Sequence, residues 1–228
     1  MKLRYVLFPV VIALTGCGGS NSSNLNPNAP QSLVGLNENG ERATFAGTVV
    51  TRINGNIVQT DSFTRVVQIE PYTFEGRNVQ AFRIETRTNG GAPVVVYDVF
   101  EQDPTTRVVT SLAIVNDKGT QKLQNQHIPG RWVVGTTWTT DSGLFDIDGL
   151  TRYRVIGTSR AYTEAGEFNT WVVRTSEDEP AFVAEGTFDF DPVSGWYVES
   201  RGRYEADAEA GLLEIDSYGE MTSYTPAG

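Results

Sequence analysis

The chain contains one cysteine, Cys17, and one histidine, His127, among its 228 residues. Because no cysteine follows position 17, disulfides, thiolate metal sites and cysteine nucleophiles are excluded from the rest of the chain. A Ser-His-Asp triad would need His127 as its base, yet no Gly-x-Ser-x-Gly motif accompanies it. Zinc sites usually take several histidine or cysteine ligands. We therefore expect no catalytic residue, no metal and no cofactor, and we predict that His127 is a surface loop residue.

Long apolar runs and phosphate-binding loops are also missing. Apart from Tyr5–Leu14, no stretch approaches the roughly 20 apolar residues that cross a bilayer. P-loops and dinucleotide fingerprints do not occur. The formal net charge is −10, which disfavours binding to nucleic acid or to anionic lipid surfaces. We therefore expect an exported chain that is not an integral helical membrane protein and has no nucleic-acid partner.

The N-terminus has the organisation of a secretory signal peptide. Lys2 and Arg4 supply a basic start, Tyr5–Leu14 is apolar, and Thr15 and Gly16 are small. A basic region, an apolar region of about 7–15 residues and a small-residue cleavage site together define such a peptide. The sequence predicts a signal peptide at residues 1–16.

Cys17 follows that segment directly. Leu14-Thr15-Gly16-Cys17 resembles the lipobox of bacterial lipoproteins, a likeness that covers the first 17 residues. The resemblance implies cleavage before Cys17, a diacylglyceryl group on its thiol, and a membrane as partner through this lipid anchor. The next residue is Gly18 and not aspartate, which in lipoproteins of Gram-negative bacteria implies sorting to the outer membrane.

A polar stretch separates the anchor from the rest of the chain. Residues 17–32 are rich in Gly, Ser, Asn and Pro and contain one isolated leucine, so they are predicted to form a flexible tether. Residues 33–228 are then predicted to form a single β-rich domain. About 190 residues suffice for a packed core without disulfides.

Turn signals separate stretches rich in β-branched and aromatic residues throughout this domain. Asn54-Gly55-Asn56, between Thr44–Ile53 and Ile57–Ser62, is a strong hairpin signal. In Trp196–Glu205, apolar and charged residues alternate, which is typical of a strand with one buried and one solvated face. No segment carries a convincing amphipathic helix. The pattern predicts an all-β, antiparallel meander of about 10–12 strands that forms a barrel or two packed curved sheets.

The two halves of the domain share turn signals at a nearly constant offset. Asp103-Pro104 in the first half corresponds to Asp191-Pro192 in the second. This pattern fits an internal duplication with repeats at 44–124 and 150–225. The reuse of Asp, Pro and Gly in turns explains it equally well. The segment between the halves is the least regular, and connecting segments often carry function.

Three tryptophans are the candidate ligand-binding residues: Trp132, Trp138 and Trp171. Aromatic side chains line apolar ligand sites, and they also dominate cores, so both interpretations stay open. Three aspartates before Gly149, namely Asp141, Asp146 and Asp148, lack the remaining ligand positions of a calcium loop. We predict that these aspartates form turns.

Three functions are compatible with these features. The favoured one is a non-enzymatic binding or interaction module of the cell envelope. The first alternative is a carrier of a lipid or other apolar ligand in a β-walled cavity. In length, anchor and strand content the chain is similar to outer-membrane lipoproteins that shuttle lipids in a half-open β-barrel, although it lacks their helices. The least favoured is an envelope hydrolase that uses paired carboxylates. A carrier requires an apolar cavity of about 300 Å³ or more that opens to solvent.

Overall fold

The computed structural model of the chain describes residues 25–28, 31–32, 38–123, 127–141, 150–179 and 182–227. The predicted signal peptide and Cys17 lie outside these residues. Every regular element in the described residues is a β-strand. The strands, in chain order, are β1 (Gln31–Ser32), β2 (Arg42–Ile53), β3 (Asn56–Phe74), β4 (Arg77–Thr88), β5 (Val94–Gln102), β6 (Val109–Asn116), β7 (Gly119–Lys122), β8 (His127–Ile128), β9 (Arg131–Trp132), β10 (Thr137–Asp141), β11 (Leu150–Thr163), β12 (Gly166–Glu179), β13 (Phe182–Asp191), β14 (Trp196–Ala208) and β15 (Gly211–Thr225).

The long strands form one antiparallel sheet in the order β10-β11-β12-β13-β14-β15-β2-β3-β4-β5-β6-β7. Neighbours in the sheet are neighbours in sequence except at its centre, where the last strand, β15, pairs with β2. The short strand β8 also pairs with β6, and β1 pairs with β9 in a separate two-stranded sheet. The described strands thus form two successive meanders, β2–β7 and β10–β15, joined through β15 and β2.

Local turn chemistry explains why the meanders form. The β2–β3 turn is made by Asn54 and Gly55, both with positive φ, at 50° and 77°. Two consecutive residues in the left-handed region match the type I′ turn, which suits the right-handed twist of paired strands. The hairpin that the sequence predicts at this point is therefore present.

The two meanders use similar turns at equivalent places, after their fourth strands. After β5, the Asp103 carboxylate accepts hydrogen bonds from the backbone N–H groups two and three residues ahead, at 2.8 and 2.6 Å. After β13, the Asp191 carboxylate accepts the same pair of hydrogen bonds at 3.3 and 2.8 Å. The predicted repeats, 44–124 and 150–225, each contain one of these turns.

The sheet is strongly curved. Twelve strands at a spacing of about 4.8 Å would make a flat sheet roughly 50 Å wide. Yet Val109 of β6 and Tyr153 of β11 belong to one buried cluster, and β8 lies beside β10. Among the described residues, β7 and β10 share no ladder, so the arch stays unclosed. The predicted all-β antiparallel meander is confirmed, and its form is one curved, unclosed sheet and neither a closed barrel nor two packed sheets.

Large aromatic side chains fill one end of the concave face, which we term the closed end. Phe45 stacks on Tyr197 and Phe82 stacks on Phe100, each pair with ring centroids 4.3 Å apart. Trp196 is fully buried, with its ring 6.4 Å from Phe45 and 6.0 Å from Phe82. Because aromatic residues bury about 150–250 Å² each, this cluster anchors the core.

Residues before β2 also contact the rest of the fold. Strand β1 pairs with β9, and Leu25 packs against the core cluster. Both lie within the stretch 17–32 that the sequence predicts as a tether. Within the described residues, Leu25 is the first residue that packs against the core. A chain of residues 18–228, termed the anchor-free chain, therefore contains the whole described fold.

Candidate functional site

A cavity of about 1000 Å³ occupies the other end of the concave face. It lies at the upper end of the range of about 300–1000 Å³ that is usual for small-molecule sites. It exists because the side chains facing it are small where those of the closed end are large. On β13 the concave positions change from Phe190 and Phe188 to Gly186 and Ala184 on the way out. The cavity opens to solvent, since Val94, one of its lining residues, is 51% exposed.

Two facing glycines shape the wall of the cavity. Gly47 of β2 pairs with Gly219 of β15 on one side and with Phe63 of β3 on the other. The Phe63 ring lies over both glycines: a Cβ at Gly47 would lie 2.6 Å from its Cζ, and one at Gly219 would lie 3.0 Å from it. A strand glycine often marks such a close approach. The two glycines therefore let an aromatic ring lie flat against the sheet inside the cavity.

Core aromatic residues form the inner wall. Tyr153, Phe188 and Tyr197 line the cavity, and each also packs on a ring behind or beside it. Tyr197 stacks on Phe45, and Tyr153 stacks on Trp138 with centroids 5.0 Å apart and planes 3° from parallel. Because these rings are fixed by packing before any ligand arrives, binding loses little side-chain entropy there.

Hydroxyl side chains make up a second group of lining residues. Six of them project from six different strands: Thr51, Thr86, Thr151, Thr175, Ser200 and Ser217. The wall therefore combines apolar area with neutral hydrogen-bonding groups. Such a lining suits an amphipathic ligand, since an apolar chain contacts the rings while polar atoms find partners.

Arg65 places a cation inside this cavity. It lies on β3, and its Nε donates a hydrogen bond to Thr86 Oγ1 at 3.3 Å. Its guanidinium carbon lies 5.5 Å from the centroid of the Phe63 ring, within range of a cation–π interaction. Among the described residues, no carboxylate forms an ion pair with Arg65.

A buried polar group lies at the inner wall. Thr140 Oγ1 donates to the Tyr153 hydroxyl at 3.3 Å, and Thr151 Oγ1 donates to Glu177 at 3.3 Å. Burial raises the pKa of Tyr153 to about 12. Burial also raises the pKa of Asp98 to about 7, and the nearby Ser111 hydroxyl offsets this in part. Perturbed groups near a cavity are typical of functional sites, and also of structural networks.

The tryptophans predicted as ligand-binding residues pack in the core. Trp171 and Trp132 are 0% and 1% exposed, and Trp138 is half-buried between Trp132 and Tyr153. None of the three is among the described residues that line the cavity. Trp132 stacks on Trp138 with centroids 5.0 Å apart, and Trp138 supports Tyr153 of the inner wall.

The remaining singled-out residues lie elsewhere. His127 is exposed on β8, and its Nδ1 lies 3.0 Å from Thr110 Oγ1. Asp141 ends β10, whereas Asp146 and Asp148 lie outside the described residues. Among the residues that the structure describes, no group of three or more His, Cys, Asp or Glu side chains is arranged to hold a metal ion. The described part also contains no helix with the length and hydropathy of a membrane span.

Sequence reasoning did not single out Phe63, Arg65 or the small residues that leave the cavity open. The available signal was glycine inside strands, at Gly47 and Gly219. A strand-interior glycine marks a bulge or a close approach, but its partner is known only once the strands are paired.

No protein-family model matches the chain, and no curated protein matches it. Among solved structures, one similar chain comes from Bacteroides fragilis and is described as an exported protein with a YmcC-like fold. That likeness covers 83% of this chain and 97% of the other, at 11% identity and a TM-score of 0.41. Another similar chain comes from Parabacteroides distasonis and is described as a lipoprotein. That likeness covers 83% of this chain and 96% of the other, at 14% identity and a TM-score of 0.38. At these TM-scores neither likeness carries an inference about ligand, partner or location.

Proposed function

We propose that the protein is a lipoprotein of the cell envelope that binds an amphipathic ligand with an apolar chain in its concave cavity. The observation that carries this proposal is the cavity of about 1000 Å³, which has aromatic and aliphatic residues in its wall. Cys17 supplies the lipid anchor, and Gly18 favours the outer membrane of a Gram-negative bacterium. This function corresponds to the carrier alternative derived from the sequence.

The physical argument is the burial of an apolar chain. Removing a CH₂ group from water contributes roughly 0.8 kcal/mol, so a chain of about ten carbons gains about 8 kcal/mol before the cost of association. Phe63, Val96 and Ile215 offer apolar contacts inside the cavity. A module that acted only through its outer surface would gain nothing from keeping this space unfilled, and unfilled space costs packing energy.

The domain then binds its ligand without transforming it, so we propose that it is not an enzyme. Asp98 has a raised pKa, but its side chain is fully buried and is not among the lining residues. Glu177 and Glu185 lie on the neighbouring strands β12 and β13 at the cavity. Glu177 pairs with Ala184 on the concave face, whereas Glu185 pairs with Ser176 on the opposite face, so the two side chains do not converge. Two carboxylates that converge on one substrate atom would be needed for glycan hydrolysis.

A filling substitution tests the proposal. Ser217 lines the cavity from β15, so Ser217→Trp should reduce the available volume. The matched control is Ser159→Trp, at an exposed position of β11 that is not among the lining residues. Titration of the anchor-free chain with uncharged N-phenyl-naphthylamine, read by fluorescence, should show binding to the wild type and to the control. We expect affinity to fall at least tenfold in Ser217→Trp.

Two results would contradict the proposal. One is a wild-type chain that does not bind the probe. The other is a folded Ser217→Trp variant that binds it as tightly as Ser159→Trp does. Circular dichroism of both variants establishes that each retains the β-fold before the titrations are compared.

A further inference from the structure

Arg65 lies at the boundary between the core and the cavity. Its cross-strand neighbours on the same face are Phe45 of β2 and Thr86 of β4. Two residues inward along β3, Val67 is 3% exposed, and two residues outward, Phe63 lines the cavity. The stem of Arg65 therefore starts from packed apolar surface and its charged end belongs to the cavity.

Two carboxylates lie close to Arg65 in the sheet, on its own strand and on β4, and both are engaged with other groups. Asp61, on the same face of β3, accepts hydrogen bonds from Gln59 and Asn89, both at 2.7 Å. Glu85 neighbours Thr86 in sequence but faces the convex side, where it pairs with Arg83 and Arg87 at 3.0 and 2.9 Å. The charge of Arg65 is thus left without a described counter-ion.

This differs from most arginines of the sheet. In the described strands, seven arginines form ion pairs with acidic residues: Arg52, Arg77, Arg83, Arg87, Arg160, Arg201 and Arg203. Arg65 contacts the neutral Thr86 hydroxyl and the Phe63 ring instead. A half-buried charge without a counter-ion is costly to keep, because it loses hydration without gaining a pair. An anionic group inside the cavity would offset that cost.

We propose that Arg65 is the anion-binding residue of the cavity, and that the ligand carries a carboxylate or phosphate at one end of its apolar chain. This inference rests on the proposed function and names the chemical class of its ligand. The Nε of Arg65 donates its hydrogen bond to Thr86, whereas the two terminal NH₂ groups have no hydrogen-bond partner among the described residues. A guanidinium presents such donors in a planar fork that matches both anions.

The two ends of the ligand therefore have separate binding partners. Phe63 contacts the Arg65 guanidinium and also lines the cavity with its ring, so the anion site adjoins apolar wall. Hydrogen bonds to charged groups are worth enough to change affinity by roughly 10- to 100-fold when one partner is removed. The contribution should appear only for ligands that carry the charge.

The test compares ligands with the same chain and different ends. Dodecanoate, dodecyl phosphate and dodecanol each displace N-phenyl-naphthylamine from the anchor-free chain, and their affinities are compared at one salt concentration. We expect at least one of the two anions to bind the wild type at least tenfold more tightly than dodecanol. The anion with the stronger preference identifies whether the site suits carboxylate or phosphate.

Substitution at Arg65 then assigns the preference. Arg65→Gln should abolish the preference for anions and leave the affinity for dodecanol within about twofold. Arg65→Lys should retain part of the preference, because it keeps the charge and loses the fork. The control is Arg87→Gln, an exposed arginine on the opposite face of β4, which should behave like the wild type.

The outcomes separate this inference from the proposed function. If the wild type binds dodecanol and both anions equally, or if Arg65→Gln keeps the preference, Arg65 is not an anion site and the cavity remains a binding site. If Arg65→Gln also lowers the affinity for dodecanol, then Arg65 has a structural role and the inference fails. If the wild type binds none of the ligands and no probe, both the inference and the proposed function fail.

Discussion

Asp98 lies on β5 with a fully buried side chain, and its replacement by asparagine probes how the fold holds an acid in its interior. Neither carboxylate oxygen has a hydrogen-bond partner of good geometry among the described residues. Burial raises the pKa of Asp98 to about 7. In the unfolded chain an aspartate has a pKa of about 3.9.

The sign of the effect follows from the proton count in each state. Below about pH 4, Asp98 is protonated in both the folded and the unfolded state, so its burial does not make the unfolding free energy depend on pH. Between about pH 4 and pH 7 the folded state keeps the proton and the unfolded state releases it, so stability falls as the pH rises. Above pH 7 the whole cost remains, and about three pKa units at 1.36 kcal/mol each give roughly 4 kcal/mol.

Asp98→Asn removes this titration, because the amide stays neutral. We expect the variant to gain about 4 kcal/mol of unfolding free energy relative to the wild type when the pH is raised from 4 to 8. The comparison between two pH values cancels any constant cost of the asparagine amide. Urea unfolding of the anchor-free chain, followed by tryptophan fluorescence at each pH, measures the quantity.

The matched control is Asp207→Asn, at an exposed position of β14. Its unfolding free energy should follow that of the wild type across the same range. If Asp98→Asn also follows the wild type at every pH, then Asp98 is not held in a desolvated site.

Two other predictions concern the cavity wall and the anchor. Gly47→Ala places a Cβ within 2.6 Å of Phe63 and still closer to the Tyr218 carbonyl, so it should lower the unfolding free energy by about 2 kcal/mol or more. Gly157→Ala, where a Cβ meets no atom within 4 Å, should change it by less than about 1 kcal/mol; equal losses in urea unfolding would refute the role of Gly47. Cys17→Ser should abolish palmitate labelling and membrane attachment, and a variant that stays attached would exclude the lipid anchor.

Local signals predict the strand class and the hairpin turns, but not every strand boundary: the predicted strand Ile57–Ser62 is part of β3, which continues to Phe74. The hairpin at Asn54-Gly55 is encoded by two residues that tolerate positive φ. The alternation predicted for Trp196–Glu205 fails at the start of β14, where Trp196, Tyr197 and Val198 are all buried because a register shift interrupts the β13–β14 ladder. The shape of the sheet depends on long-range pairing instead. The β15–β2 ladder joins the first and last long strands of the described residues. No local sequence pattern predicts that these two strands pair while β7 and β10 do not.

The candidate site was harder to predict for a related reason. Because aromatic residues line apolar sites, the sequence predicts the tryptophans as ligand contacts, yet Trp132 and Trp171 fill the closed end of the arch. The cavity is defined by what is small, such as Gly186 and Ala184, and small residues in strands have no distinctive signature in one sequence. The interest of Arg65 depends on side-chain contacts that one sequence does not reveal, since Asp61 and Glu85 bind other groups.

The central claim is that the cavity holds a ligand with an apolar chain. Native mass spectrometry of the protein, released gently from its own cell envelope, tests this most directly. The account predicts an added mass that disappears on extraction with organic solvent, with a fragment that contains an acyl or alkyl chain and an acidic group. It also predicts that the added mass is lost in Ser217→Trp and retained in Ser159→Trp. A wild-type protein with no added mass, whose cavity also fails to take up dodecanoate and dodecanol, would contradict the account.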